Sequence, residues 1–220
     1  LADRVLGTLP ELARHELVDD RAAARRAAVR PLPLREHPAR DERHAERLQI
    51  ARRHPADFEQ RLCAERGIPF AMMIGSRRGV NPRLGDAADM GGLSDIQSVT
   101  TLCRDFPSNK FFCTMLAREN QQELCVAGRK FGNLMVFGCW WFLNNPSLIT
   151  EITRMRLELL GLSMIPQHSD ARILDQLIYK WDHSRRIIGK VLTEKYTDLA
   201  QTAWPVTQED IHRDIRLLLR

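Results

Sequence analysis

The chain has 220 residues, of which 44% are hydrophobic and 28% charged, as in ordinary globular proteins, and it is shorter than the about 250 residues of a complete (β/α)8 barrel. Its net charge of +5 comes with arginines dispersed among acidic residues, a pattern that argues against a nucleic-acid partner. The longest strongly apolar stretch, 134–143, is shorter than the roughly 18 to 20 residues of a membrane span, so no membrane partner is expected.

The five cysteines are spread through apolar contexts and form no Cys-x-x-Cys pair. An odd number of dispersed cysteines argues against a disulfide framework. They are predicted to be buried thiols in a reducing cytoplasm, and the N-terminus has no charged segment leading into an apolar one as a secretory signal would.

Residues 1–60 differ from the rest, because they are rich in Arg and Ala and contain Phe58 as their only aromatic residue. Three interpretations stay open for this segment: a mobile extension, a helical subdomain, or the remnant of a disrupted N-terminal half. Residues 61–220 are predicted to form a separate, regular domain.

From residue 56 onward, apolar strands alternate with amphipathic helices. The predicted helices are 56–66, 94–106, 118–131 and 145–161, and the predicted strands are 68–74, 110–115, 133–137 and 162–166. Ser94 with Gln97 has the spacing of a capping box, and Asn145 with Pro146 is typical of a helix start. Leu148, Ile152, Met155 and Leu159 share one face of the fourth helix. This alternation predicts a parallel sheet covered by helices, either half of a barrel or an open doubly wound sheet.

Polar or aromatic side chains follow each predicted strand at once. They are Ser76-Arg77-Arg78, Arg118-Glu119-Asn120, Trp140-Trp141, and His168 with Asp170 and Arg172. Because the carboxyl ends of parallel strands carry the chemistry in α/β folds, the four clusters are expected to converge on one pocket.

These clusters also carry a family resemblance over 61–220. The segment 137–146, with its Trp-Trp-Phe triplet and following Asn, resembles the strand-7 motif of uronate isomerases, and 167–172 resembles their Asp-x-Arg motif of strand 8. Arg78 with Asn81 is similar to the strand-5 segment, and 118–120 to a strand-6 motif. The resemblance implies an α/β fold, a partial (β/α)8 TIM-type barrel of about four β/α units, strands 5–8, with an irregular or helical N-terminal segment.

The resemblance to this amidohydrolase-type family implies that Asp170 binds a metal and exchanges protons with the substrate. It implies that Arg172 faces the same pocket and binds the anionic sugar acid. Two plainer interpretations stay open: Asp170 as the cap of a following helix, and Arg172 in a surface salt bridge. The remaining implied substrate contacts are Arg78, Trp140, Trp141, Trp181, Arg118 and His168. Core packing is the alternative interpretation for the tryptophans. Alternation along the chain should bury one of Trp140 and Trp141 and point the other into the mouth of the barrel.

The implied metal is a divalent ion such as zinc, but two features depart from the family pattern. The chain has no His-x-His pair, since His15, His37, His44 and His54 stand alone. Met73 occupies a position at which many relatives have His. Asp170 by itself is a poor metal site, because a tight transition-metal centre takes about three protein ligands.

The function implied by the resemblance is that of a uronate isomerase. This enzyme converts an aldohexuronate, D-glucuronate or D-galacturonate, into its ketose isomer by proton transfer through an enediol. Two alternatives stay open: a truncated or diverged relative without catalysis, and a metal-dependent hydrolase of the same superfamily. A half-barrel has two open sheet edges, so a homo-oligomer is expected.

Overall fold

The computed structural model describes residues 55–219, with side chains described from residue 59 onward. Most of the predicted N-terminal segment 1–60 therefore lies outside the described residues. The first described helix, α1 (Pro55–Arg66), spans the predicted boundary at 60. Its Gln60 is 1% exposed, and the Asn109 side chain donates to the Gln60 carbonyl at 2.8 Å. This hydrogen bond connects α1 to the loop before residues 111–115, which form an inner strand of the parallel sheet.

The strands follow the predicted segments closely. They are β1 (Phe70–Ile74), β2 (Ser76–Arg77), β3 (Met90–Gly91), β4 (Phe111–Met115), β5 (Leu134–Phe137) and β6 (Met164–Ile165). β1, β4, β5 and β6 form one sheet in that order, with parallel pairing throughout. β2 and β3 form a small antiparallel pair beside it. The predicted parallel sheet is thus confirmed, and the short β2–β3 pair was not predicted.

A helix comes after each strand of the parallel sheet, and a further helix ends the described chain. The helices after α1 are α2 (Ile96–Asp105), α3 (Gln121–Lys130), α4 (Pro146–Leu160), α5 (Leu174–Gln201) and α6 (Gln208–Leu219). The predicted capping box was wrong by one residue, because Asp95 and not Ser94 caps α2. The Asp95 carboxylate accepts from the N–H groups of Gln97 at 2.9 Å and Ser98 at 3.1 Å. A carboxylate at this position also opposes the positive end of the helix dipole, so Asp95 is the better cap.

Helix α4 begins and ends as predicted but buries a different face. Asn145 accepts from the Leu148 N–H at 3.1 Å, and Gly161 ends the helix with φ +60°. The most buried residues of α4 are Ile149, Ile152, Thr153 and Arg156, so only Ile152 of the predicted stripe is fully buried. The face is rotated because α4 packs between α3 and α5, which cover it from two sides.

The two faces of the parallel sheet are covered unequally within the described residues. On the face covered by helices, Met72, Cys113 and Val136 belong to the hydrophobic core. On the opposite face, Ala71 is exposed and Met73 is 45% exposed. Since side chains alternate between the faces of a strand, the described helices bury one face. The other, open face is exposed along the edge strand β1, whereas its Thr114 on β4, which pairs with Met73, is 0% exposed.

The cysteines are free thiols, and all but the half-exposed Cys63 are buried. Burial raises the pKa of Cys103 to about 11 and that of Cys113 to about 12, so these thiols stay protonated at neutral pH. The prediction of buried thiols is confirmed for Cys103, Cys113, Cys125 and Cys139. Within 55–219, no helix combines the length and the apolar character that crossing a membrane requires.

Candidate active site

The turn after β5 has an unusual backbone. Gly138 has φ +69° and Trp141 has φ +49°, a left-handed conformation that is costly for a residue with a side chain. Trp140 is 7% exposed, whereas Trp141 is half-exposed and stacks on Phe142 with 4.6 Å between ring centroids. Trp140 is therefore buried, whereas Trp141 packs against the hydrophobic core and keeps part of its ring accessible. Whether Trp141 points into a substrate mouth stays a prediction.

His168, after β6, lies against this turn. Its ring is 5.0 Å from that of Phe137 and 6.3 Å from that of Trp140, measured between centroids. Neither ring nitrogen has a hydrogen-bond partner among the described residues. Burial lowers the pKa of His168, and the nearby Asp170 carboxylate opposes that shift. The imidazole is thus neutral near pH 7 and can still donate one hydrogen bond and accept another.

Asp170 lies beyond His168 with its side chain in solvent. It has φ +42°, and its backbone carbonyl accepts from Lys180 Nζ at 3.1 Å. The interpretation of Asp170 as a helix cap is wrong, because α5 begins later and Ile173 occupies the cap position. No described residue hydrogen-bonds the Asp170 carboxylate. Asp170 therefore has a positive φ, which Asp tolerates better than most residues, and it is exposed to solvent.

Arg78 and Arg172 follow the edge strands β1 and β6 of the parallel sheet, and the charges of both act on the Asp89 carboxylate. Arg78 forms an ion pair with Asp89, and the Gly79 N–H donates to Asp89 at 2.9 Å. The Gly79 N–H, the Arg78 side chain and the charge of Arg172 together hold the pKa of Asp89 below its usual value. The charge of Arg172 therefore reaches Asp89, whereas Arg78 makes the direct ion pair with this carboxylate. The convergence of the four clusters on one mouth stays a prediction.

Two other predicted contacts have partners within the chain. Arg118 forms a two-bond ion pair with Glu151 of α4, at 3.1 Å and 2.9 Å, so its guanidinium is already occupied by a carboxylate. Trp181 is half-buried on α5, and the Arg185 guanidinium lies 5.5 Å from its ring centroid. Both side chains are therefore engaged within the chain, and their roles as substrate contacts stay predictions.

The described residues do not by themselves make a metal site. Within 55–219, no group of three or more His, Cys, Asp and Glu side chains is placed to hold a metal ion. Asp170 and His168 are neighbouring donors, but two donors fall short of the three protein ligands that a zinc centre usually has. The zinc ion implied by the family resemblance stays a prediction.

Sequence reasoning missed three buried polar side chains beneath the mouth: Gln121, Arg156 and Gln167, of which Gln167 is 1% exposed and the other two 0%. Gln167 accepts from the Cys139 N–H at 3.2 Å, which links the ends of β5 and β6. The spacing held a usable signal, because Arg156 follows Ile149 by seven residues and Ile152 by four, on the buried face of α4.

Several solved structures are similar to this chain. A uronate isomerase from Bacillus halodurans C-125 is 52% identical over 84% of this chain, with a TM-score of 0.72, and 42% of that chain is matched. The chain belongs to the uronate isomerase family. It spans less than half the length of the Bacillus uronate isomerase.

Two further solved structures share the fold at lower identity. A uronate isomerase from Thermotoga maritima has a TM-score of 0.64 at 15% identity and matches over 73% of this chain and 37% of its own. A glucuronate isomerase from Caulobacter crescentus has a TM-score of 0.64 at 17% identity, over 73% of this chain and 35% of its own. No protein-family profile matches the sequence. No curated protein matches it either.

Proposed function

We propose that this chain forms the substrate-binding mouth of a uronate isomerase and acts on an aldohexuronate such as D-glucuronate or D-galacturonate. The observation that carries the proposal is the 52% identity with a uronate isomerase over 84% of this chain. It is supported by Arg78, which pairs with Asp89, and by Arg172, whose charge acts on the same carboxylate. Guanidinium groups suit the carboxylate of a sugar acid, which can exchange with Asp89.

The proposed reaction moves one proton from C2 to C1 and leaves the overall composition of the sugar unchanged. Asp170 removes the C2 proton and returns it to C1, while the proton of the C2 hydroxyl passes to O1. The enediol between these steps carries developing negative charge on oxygen, and Arg172 together with the neutral His168 imidazole stabilises it. Trp141 offers its half-exposed ring to the sugar face.

A divalent metal, when bound, would supply Lewis-acid polarisation of the sugar oxygens. Asp170 is the residue of this chain proposed to contact it. The described residues lack the remaining ligands, so every step above is assigned to side chains of the chain itself.

The parallel sheet is proposed to be four strands of a (β/α)8 barrel, with the open face as part of the barrel interior. Residues 61–220 are proposed as this half-barrel domain and 1–60 as a separate segment. A second copy is the proposed partner for the open edges at β1 and β6, because unpaired strand edges and exposed apolar residues such as Met73 favour association. The buried free thiols are the support for a cytoplasmic location.

Calorimetric titration with D-glucuronate and with D-glucose tests the proposal, because the two sugars differ in the carboxylate. The chain is expected to bind glucuronate more tightly and to convert it to a ketose. Arg172→Met should weaken glucuronate binding by about 10-fold or more, the cost of one charged contact. Arg186→Met is the matched control, since Arg186 pairs with Asp182 on the surface of α5. Equal affinity for both sugars, or no binding of either, contradicts the proposal.

A further inference from the structure

Arg156 is an arginine buried without a carboxylate. Its side chain is 0% exposed, yet no described Asp or Glu pairs with it. Its Nη1 donates to the Gly138 carbonyl at 2.8 Å, and its Nη2 donates to Gln121 Oε1 at 2.9 Å. Burying a charged group without a counter-ion is costly, so such a residue is expected to have a specific task.

Gln121 extends the reach of Arg156 to a second strand. Gln121 is also 0% exposed, and its Nε2 donates to the Met115 carbonyl at 2.7 Å and to the Ala117 carbonyl at 3.1 Å. The amide orientation is determined by these partners, because Nε2 must donate to two carbonyls while Oε1 accepts from the guanidinium. One guanidinium thereby links the end of β4 to the residue that follows β5.

The contact with Gly138 lies at the base of the turn that carries the tryptophans. Gly138 and Trp141 both have positive φ, and the carbonyl of the intervening Cys139 accepts from Asn144 Nδ2 at 2.9 Å. A turn with two left-handed residues persists only where its surroundings hold it in place. The guanidinium orients the peptide group between Gly138 and Cys139, and with it the path of the chain into Trp140 and Trp141.

We propose that Arg156 is a positioning residue of the active site: from the helix layer it holds the 138–141 turn so that Trp140 packs inside and Trp141 faces the substrate. This role rests on the proposed uronate isomerase function, since it concerns the shape of that mouth. Arg156 contacts no substrate; it acts through Gly138 and, by way of Gln121, through the end of β4.

The geometry of the side chain explains why arginine occupies this position. The planar guanidinium presents separate N–H groups in a fixed fork, which suits two acceptors on different elements. Lysine keeps the positive charge but has a single ammonium nitrogen, so it cannot reproduce the two-pronged link. Arg156→Lys therefore tests geometry with the charge retained.

The matched control lies two residues earlier on the same helix. Arg154 is half-exposed and pairs with Glu194 of α5, away from the 138–141 turn. Arg154→Lys makes the same chemical change in α4 without touching the turn. Thermal unfolding of both variants shows whether either one is folded under the conditions used.

Fluorine NMR of protein labelled with 5-fluorotryptophan reports on the turn directly. The chain has four tryptophans, whose resonances are assigned with single Trp→Phe variants. In Arg156→Lys the Trp140 and Trp141 resonances are expected to shift or broaden, while the exposed Trp204 keeps its position. In Arg154→Lys all resonances should stay in place. Unchanged Trp140 and Trp141 resonances in folded Arg156→Lys protein overturn the proposal.

Gln121→Leu provides a second measurement if Arg156→Lys does not fold. This variant removes one of the two acceptors that hold the Arg156 guanidinium, so the Trp140 and Trp141 resonances should shift from their wild-type positions. Unchanged resonances in folded Gln121→Leu protein again oppose the proposal. Where the wild-type chain converts D-glucuronate, Arg156→Lys should lower kcat/KM by about 100-fold, the typical effect of a displacement of about 1 Å. A wild-type chain that binds no uronate would refute the proposed function, while the fluorine spectra would still decide the role of Arg156.

Discussion

Gly138 and His168 pack so closely that a Cβ atom at position 138 would overlap the imidazole Nδ1. The end of β5 and the segment after β6 therefore form one unit, in which a residue without a side chain makes room for the candidate substrate-binding histidine. Gly138 also has φ +69°, a conformation that glycine adopts without strain.

Gly138→Ala is expected to displace His168 and to strain the backbone. The expected loss of unfolding free energy is about 1 to 3 kcal/mol, and uronate affinity should fall as well. Gly132→Ala is the matched control, because no neighbouring atom lies within 4 Å of a Cβ placed there. Urea unfolding and calorimetric titration provide the two measurements. Equal stability and affinity in Gly138→Ala would show that His168 does not depend on this contact.

The raised pKa of Tyr196 predicts a loss of stability at alkaline pH. Tyr196 is 7% exposed, its hydroxyl donates to Asp214 at 2.7 Å, and burial, followed by this hydrogen bond, raises its pKa strongly. A tyrosine in the unfolded chain loses its proton at about pH 10. Above that pH the unfolded state releases a proton that the folded state retains. The contribution of Tyr196 to the free energy of unfolding is therefore fully present below about pH 10 and is lost as the pH rises further.

Tyr196→Phe should remove the share of the decrease in unfolding free energy above pH 10 that comes from Tyr196. The variant is expected to be less stable at pH 8, by about 1.5 to 3 kcal/mol for a hydrogen bond to a charged group, and to have a shallower decline above pH 10. Tyr179, which is 58% exposed, supplies the control variant Tyr179→Phe. Urea midpoints between pH 8 and pH 11 measure both effects, and parallel declines in Tyr196→Phe and wild type would refute the prediction.

The proposed association of two copies predicts an effect of charge on the open face of the sheet. Met73→Lys places an ammonium on edge strand β1, at a residue that is 45% exposed, and should shift the chain toward the monomer. Val126→Lys, at a residue 37% exposed on α3, should leave the association unchanged. Light scattering over a range of protein concentrations gives the masses. A monomeric wild-type chain at all concentrations would rule out the second copy.

The sequence predicted the regular elements well because their signals are local. Apolar runs mark the strands, and Pro146 and Gly161 mark the two ends of α4. The predicted cap of α2 lies one residue before the observed one, because Ser94 and Asp95 both have suitable side chains and only the backbone geometry decides between them. The length of α5 was not predicted, since its first turns expose Leu174 and Ile178 and show no clean apolar stripe.

The candidate site residues stay predictions, and the buried polar contacts that support them were missed. The residues that follow the strands were identifiable because strand ends share one edge of a sheet. Arg156 was missed because an arginine on a helix is usually assigned to the surface, and only tertiary packing places its guanidinium beneath the Gly138 carbonyl. The combined effect of Arg78 and Arg172 on the pKa of Asp89 likewise depends on how the edge loops fold, which no local pattern records.

Conversion of D-glucuronate by the purified chain and by its Asp170→Asn variant tests the central claim most directly. Asn keeps the size of the side chain but cannot take up the C2 proton, so ketose formation should fall by about 100-fold or more, with little change in unfolding. Asp175→Asn, which alters an exposed carboxylate in the first turn of α5, should retain the wild-type rate. Equal rates for Asp170→Asn and wild type would contradict the assignment of Asp170 as the proton-transferring group.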